Sequence, residues 1–158
     1  MSVYISLTDR LKTQHLTIYE LIAAVPDDLL LHRPSAGKWN IKDQIAHLSR
    51  YQVIFLERIH LILSEQQPGF KRYDAEQDSE FVHWQNLSIK KLMERLVADR
   101  LQIFNRITRL DKEKLNRKGI HEKYGALTVL QWTEFFLLHE AHHLYSIFQI
   151  ANNKFRQA

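Results

Sequence analysis

Near the C-terminus the chain reads His139, Glu140, Ala141, His142, His143, and His47 upstream can add a third imidazole to the first and last of these. Neutral imidazole is the commonest protein ligand for zinc and serves nickel equally well, so three of them can hold one divalent ion. At about 100° per residue, His139 and His143 stand one turn apart and about 40° from each other on a helix. Trp132, Phe135, Phe136, Ser146, Ile147 and Ile150 project within about 80° of His139, which puts both imidazoles inside an apolar stripe. A single histidine on such a face is most simply a core residue with a hydrogen-bond partner. Two at i and i+4 point to a shared ligand, because each buried imidazole without a partner costs about 1–3 kcal/mol.

Two metal motifs share these letters. Residues 139–143 spell HExxH, the helical signature of zinc peptidases, in which the glutamate activates water. Such enzymes take a third ligand from downstream, yet residues 144–158 contain no His, Asp, Glu or Cys, so the third ligand has to come from upstream. Glu140 to His143 and Glu57 to His60 are also both ExxH, the spacing of di-iron carboxylate bundles. Glu57 and His60, however, project with Lys42, Ser49, Arg50 and Ser64, opposite their helix's apolar side, and should face water. His47 lies at the flank of that apolar arc. It is either a boundary histidine or the third ligand of a mononuclear site set in a cleft. His142, about 60° from His139, either lines that pocket or caps its edge. Trp132, Phe135 and Phe136 read as core, Glu140 as a solvated helix residue, and His15, His32, His60, His83 and His121 as ordinary polar positions.

The elements that must position these groups are legible from the helix breakers. All four Gly and three Pro fall in the windows 26–37, 68–69 and 119–125, leaving four long segments free of them. The first helix is expected over about Val3–Ala24, with Leu7, Leu11, Ile18, Leu21 and Val25 in one stripe that only Gln14 interrupts. The second opens at Asn40 with Asp43 three residues on, and carries Ile45, Leu48, Phe55, Ile59 and Ile62 on one side. The third spans about Asp78–Leu110. The fourth starts at a capping box, Thr128 with Gln131, and runs to about Asn152. No sustained alternation suggests strands. The expected fold is therefore all-α, a four-helix bundle in a single domain over 1–158. The connection 65–78 is long enough, at ~3.3 Å per residue, to return along a helix and let helices two and three run parallel.

Composition narrows the function classes. With no cysteine, thiolate nucleophiles and cysteine zinc sites are excluded. The net charge, 22 − 18 = +4, comes from basic residues scattered among acidic ones, so no nucleic-acid partner is indicated. No apolar run approaches the roughly 18 residues of a membrane span, and the first residues lack a secretion-signal pattern. A soluble, cytoplasmic protein is expected, with no membrane partner.

Two stretches resemble a known family. Trp39-Asn40-Ile41-Lys42-Asp43-Gln44-Ile45-Ala46-His47-Leu48 is similar to the segment of the DinB/YfiT-like superfamily that opens helix two and ends at its first metal-binding histidine. Tyr124-Gly125-Ala126-Leu127-Thr128, followed by His139-Glu140-Ala141-His142-His143, resembles that family's Gly-x-x-Thr lead into helix four and its paired metal histidines. The resemblance implies up-down-down-up topology and a divalent metal on His47, His139 and His143: zinc or nickel first, manganese or iron second. It further implies an enzyme with a small-molecule thiol and an electrophile as substrates, a thiol S-transferase ahead of a metal-dependent hydrolase, often as a homodimer. A stress-associated helical interaction module is the non-catalytic alternative.

Overall fold

The computed structural model describes residues 3–152. Its helices are α1 (Ile5–Thr13), α2 (Thr17–Ile22), α3 (Asp27–Leu31), α4 (Ile41–Ser64), α5 (Phe81–Asn86), α6 (Ile89–Thr108), α7 (Lys112–Leu115) and α8 (Val129–Ala151). The two long helices that carry the histidines begin where the sequence signals them. Asn40 and Asp43 cap α4 reciprocally, as do Thr128 and Gln131 for α8, so the N-terminal amides of both helices are satisfied locally.

The other two expected helices are interrupted. The first tightens into a 3₁₀ turn at Gln14–Leu16 between α1 and α2. This turn brings Gln14 inward, where its amide donates to Leu137 O and to Glu140 at 2.8 and 3.0 Å. The third is split at extended Leu87, after which the Ser88 side chain caps α6 by accepting from Lys91 N.

Side-chain pairings give the helix directions. Tyr4 and Arg10 meet Glu134, and Gln14 meets Glu140, so α1 runs parallel to α8. Gln44 meets His143 while Phe55 stacks on Phe136, so α4 runs antiparallel to α8. Ser49 reaches Leu92 and Arg106 reaches His60, so α4 and α6 are parallel. The result is the up-down-down-up bundle, made sterically feasible by the long connection between α4 and α5.

Against the expectation of no strands, that connection contributes β1 (Gly69–Phe70) to a small sheet ordered β1-β2-β3, with β2 (Lys118–His121) and β3 (Gly125–Thr128). β1 pairs parallel and β3 antiparallel to β2. Strands of two to four residues are too short to show an alternating pattern. Local chemistry builds the hairpin instead: His121 Nδ1 accepts from Lys123 N and Tyr124 N, and Gly125 takes φ 71°. At Gly119 a Cβ would sit 2.7 Å from Ile62 Cγ1, so only glycine lets β2 lie this close to α4.

The core forms two apolar layers. One contains Leu7, Leu11, Phe55, Ile103, Trp132 and Phe136; the other contains Ile18, Ile45, Leu48, Leu96, Leu144 and Ile147. Between them lie the half-buried Gln14 and the buried polar residues His15, Gln52, Arg100 and Glu140.

Candidate metal centre

α4 and α8 cross at this polar level and bring His47, His139 and His143 together. His139 Nε2 lies 3.1 Å from His47 Nε2 and 3.1 Å from His143 Nε2. One ring nitrogen from each of the three thus faces a common point. His143 is oriented by Gln44, whose Oε1 lies 2.6 Å from His143 Nδ1. An amide oxygen only accepts, so the hydrogen of neutral His143 is on Nδ1 and its Nε2 presents a lone pair to the centre. Aromatic rings pack the other surfaces. Tyr51 lies 4.3 Å from the His139 ring, Tyr73 stacks at 5.5 Å on His47, and Trp39 lies 5.0 Å from His47. Tyr73 is held by donating to Asp78, which also pairs with Arg50, so the connection after α4 is pinned over the site.

Burial keeps the triad neutral. Desolvation, then the charge that neighbouring imidazoles would carry, pushes His47 down to about 2 and His139 to about 3. His143 is pushed to about 4 by desolvation and then by His142. Three lone-pair-bearing nitrogens of this kind are what a divalent ion requires. The spacing fits as well, since ligand bonds of about 2.05 Å in a tetrahedron separate donor nitrogens by about 3.3 Å. Hydrogen bonding alone does not satisfy the cluster. With His143 Nε2 fixed as an acceptor, a single hydrogen on His139 Nε2 cannot serve both 3.1 Å contacts. The Nδ1 atoms of His47 and His139 are buried without a hydrogen-bond partner among the described residues. A bound cation would engage all three Nε2 atoms at once.

The triad forms one wall of a cleft of about 600 Å³ that is also lined by Tyr51, Arg58, Tyr73, Phe135 and His142. This arrangement on this bundle matches known proteins. The profile of the DinB superfamily aligns with residues 10–147. The chain belongs to the DinB superfamily. A relative from Oceanobacillus iheyensis, named "Putative metal-dependent hydrolase", is 24% identical over 140 residues, covering 85% of this chain and 78% of the relative. The solved structure of YfiT from Bacillus subtilis, described as "a probable metal-dependent hydrolase with an unusual four-helix bundle topology", superposes with a TM-score of 0.80. That match covers 94% of this chain and 86% of YfiT at 15% identity, a likeness of fold.

Within this DinB chain the rival readings of the histidine motif separate clearly. Glu140 is not the solvated helix residue that the sequence led us to expect. It is 1% exposed, faces away from the triad, and is paired with Arg100, itself 1% exposed. Arg100 also donates to Gln52 Oε1 at 2.9 Å, and Gln14 donates to the second Glu140 oxygen. A carboxylate neutralised in this way has no free oxygen for water at the cleft. Glu57 and His60 are exposed, which leaves no di-iron constellation among the described residues. His142 lines the cleft. Trp132 and Phe136 belong to the core, whereas Phe135 reaches the cleft wall. His121, expected to be an ordinary polar residue, is buried and builds the β2-β3 turn.

Gln44, Tyr51, Tyr73 and Arg58 were not anticipated as site residues. Gln44 precedes His47 by three residues on α4, and that spacing was the available signal for a supporting role. Nothing in the sequence marks the other three, because their positions depend on how the connection folds back over α4.

Proposed function

We propose that this DinB protein is a metal-dependent enzyme holding one divalent ion, zinc or nickel foremost, on His47, His139 and His143, and that it transfers a small-molecule thiol to an electrophilic substrate. Convergence of three neutral Nε2 atoms on one wall of an aromatic-lined cleft carries the reading. An ion with three protein ligands keeps a position open and lowers the pKa of a thiol or water bound there. The chain's residues do the remaining work. Gln44 orients His143, the Tyr73–Asp78–Arg50 set holds the cover, and Trp39, Tyr51 and Phe135 exclude water and offer an apolar surface to the electrophile.

Sequestration of Glu140 by Arg100 supports thiol transfer over base-assisted hydrolysis, since a thiol acidified by the ion needs no protein base. Hydrolysis is the second reading. It is supported by the name of the Oceanobacillus iheyensis relative and by His142 at the cleft wall, where it could take a proton.

The test begins with elemental analysis of protein purified without a metal-binding tag. About one divalent ion per chain is expected, falling to near zero when the three histidines are replaced together by Ala, with helical circular dichroism retained. Equal metal content in the two proteins would end the proposal. Thiols offered with a haloaromatic acceptor in zinc, nickel and manganese forms then decide the reaction. Turnover of esters, lactones or amides with no thiol conjugation would assign the site to hydrolysis.

A further inference from the structure

Two arginines are buried among the described residues, and they are treated differently. Arg100 has Glu140 beside it. Arg58, 8% exposed, has no ion-pair partner among the described residues. It donates to the Tyr51 hydroxyl oxygen at 3.2 Å and to Lys71 O at 2.8 Å, which uses two of its five N–H groups. The rings of Tyr51, Phe70 and Trp132 lie 5.9, 5.6 and 5.5 Å from the guanidinium carbon and hold it in place without cancelling its charge. A charge taken out of water is retained chiefly where an anion offsets it. Arg58 also lines the cleft that contains the triad, and Tyr51 connects the two, with its oxygen on Arg58 and its ring against His139.

We infer that Arg58 is the receptor for a carboxylate carried by the thiol substrate, so that one small molecule spans from the histidine triad to this guanidinium. This inference rests on the cleft being the thiol site proposed above. The charge count favours a carboxylate over a phosphate dianion. Around Arg58 the lining sets two cations, Lys71 and Arg72, against three carboxylates, Asp74, Glu76 and Glu122, an acidic surrounding that repels a dianion more than a single negative charge. A planar, singly charged carboxylate also matches the fork of a guanidinium.

The probe pair is 3-mercaptopropionate and its uncharged amide, titrated into ¹⁵N-labelled protein both metal-free and zinc-loaded, with zinc stoichiometry measured on the same samples. In wild type the carboxylate should bind at least about tenfold more tightly than the amide and shift the Arg58 Nε–H resonance, identified by its loss in Arg58→Lys. In Arg58→Met the two affinities should converge to within about twofold. Arg58→Lys keeps the charge, loses the fork and should lose most of the preference, which guards against a Met variant that does not fold. Equal affinities in wild type, binding of neither probe, or a preference that survives in Arg58→Met would overturn the inference. Zinc failing to bind while the carboxylate preference persists in metal-free protein would instead fail the triad. Zinc bound at one per chain without the preference would fail Arg58 alone.

Discussion

Gln44 fixes more than a hydrogen bond. By accepting from His143 Nδ1 it decides which nitrogen of that ring faces the centre, and an orienting partner of this kind is worth about 10- to 100-fold in metal affinity. Gln44→Leu should therefore fold normally and bind zinc about 10- to 100-fold more weakly in competition with a chromogenic chelator. An unchanged affinity would show that packing alone orients His143. The three imidazoles were legible in the sequence because an i, i+4 pair in an apolar stripe is hard to satisfy without a shared ligand, and because a familiar segment ends at His47. Gln44 and Arg58 were not. On a helical projection both are polar residues on an amphipathic helix; Gln44 is engaged by His143 from α8, and Arg58 by Phe70 and Lys71 from the connection after α4.

α8 divides its functions by face. His139 and His143 turn towards α4 and the cleft, while Glu140, one residue on, turns towards α1 and α6, where Gln14 and Arg100 meet it. The four long helical segments were readable from breakers and capping residues. What was lost is the 3₁₀ turn at Gln14, a polar residue in an apolar stripe whose partner lies on a helix 126 residues away. Removing one member of a buried ion pair strands the other, which typically costs about 3–5 kcal/mol. Glu140→Ala should lower the free energy of urea unfolding by about that amount while still binding one zinc per chain. The double variant Arg100→Met, Glu140→Leu should recover much of the loss. A Glu140→Ala protein of wild-type stability that has lost its metal would place the carboxylate in the site after all. The short sheet escaped the sequence because it is built by one histidine-capped turn and one close glycine contact rather than by a pattern.

Two apolar layers enclose a belt of polar groups midway along the bundle, and this layering governs how the molecule responds to acid. His15, His47, His139 and His143 are all held below the ordinary imidazole value of about 6.5, chiefly by desolvation, at about 4, 2, 3 and 4. Between pH 6.5 and 4 the unfolded chain therefore binds more protons than the folded one, so stability rises with pH through that window and is lost as pH falls. The slope is at most about 1.4 kcal/mol per pH unit for each imidazole. Thermal melts of metal-free protein should drop steadily from pH 7 to 5. Zinc should behave differently: because the folded triad is already neutral across this range, binding displaces no proton from it. The rise in melting temperature at a fixed free zinc concentration should then be nearly constant from pH 7.5 to 5.5. A zinc increment that collapses below pH 6.5 would show that the three imidazoles titrate like exposed histidines, and that the belt is wetter than its packing implies.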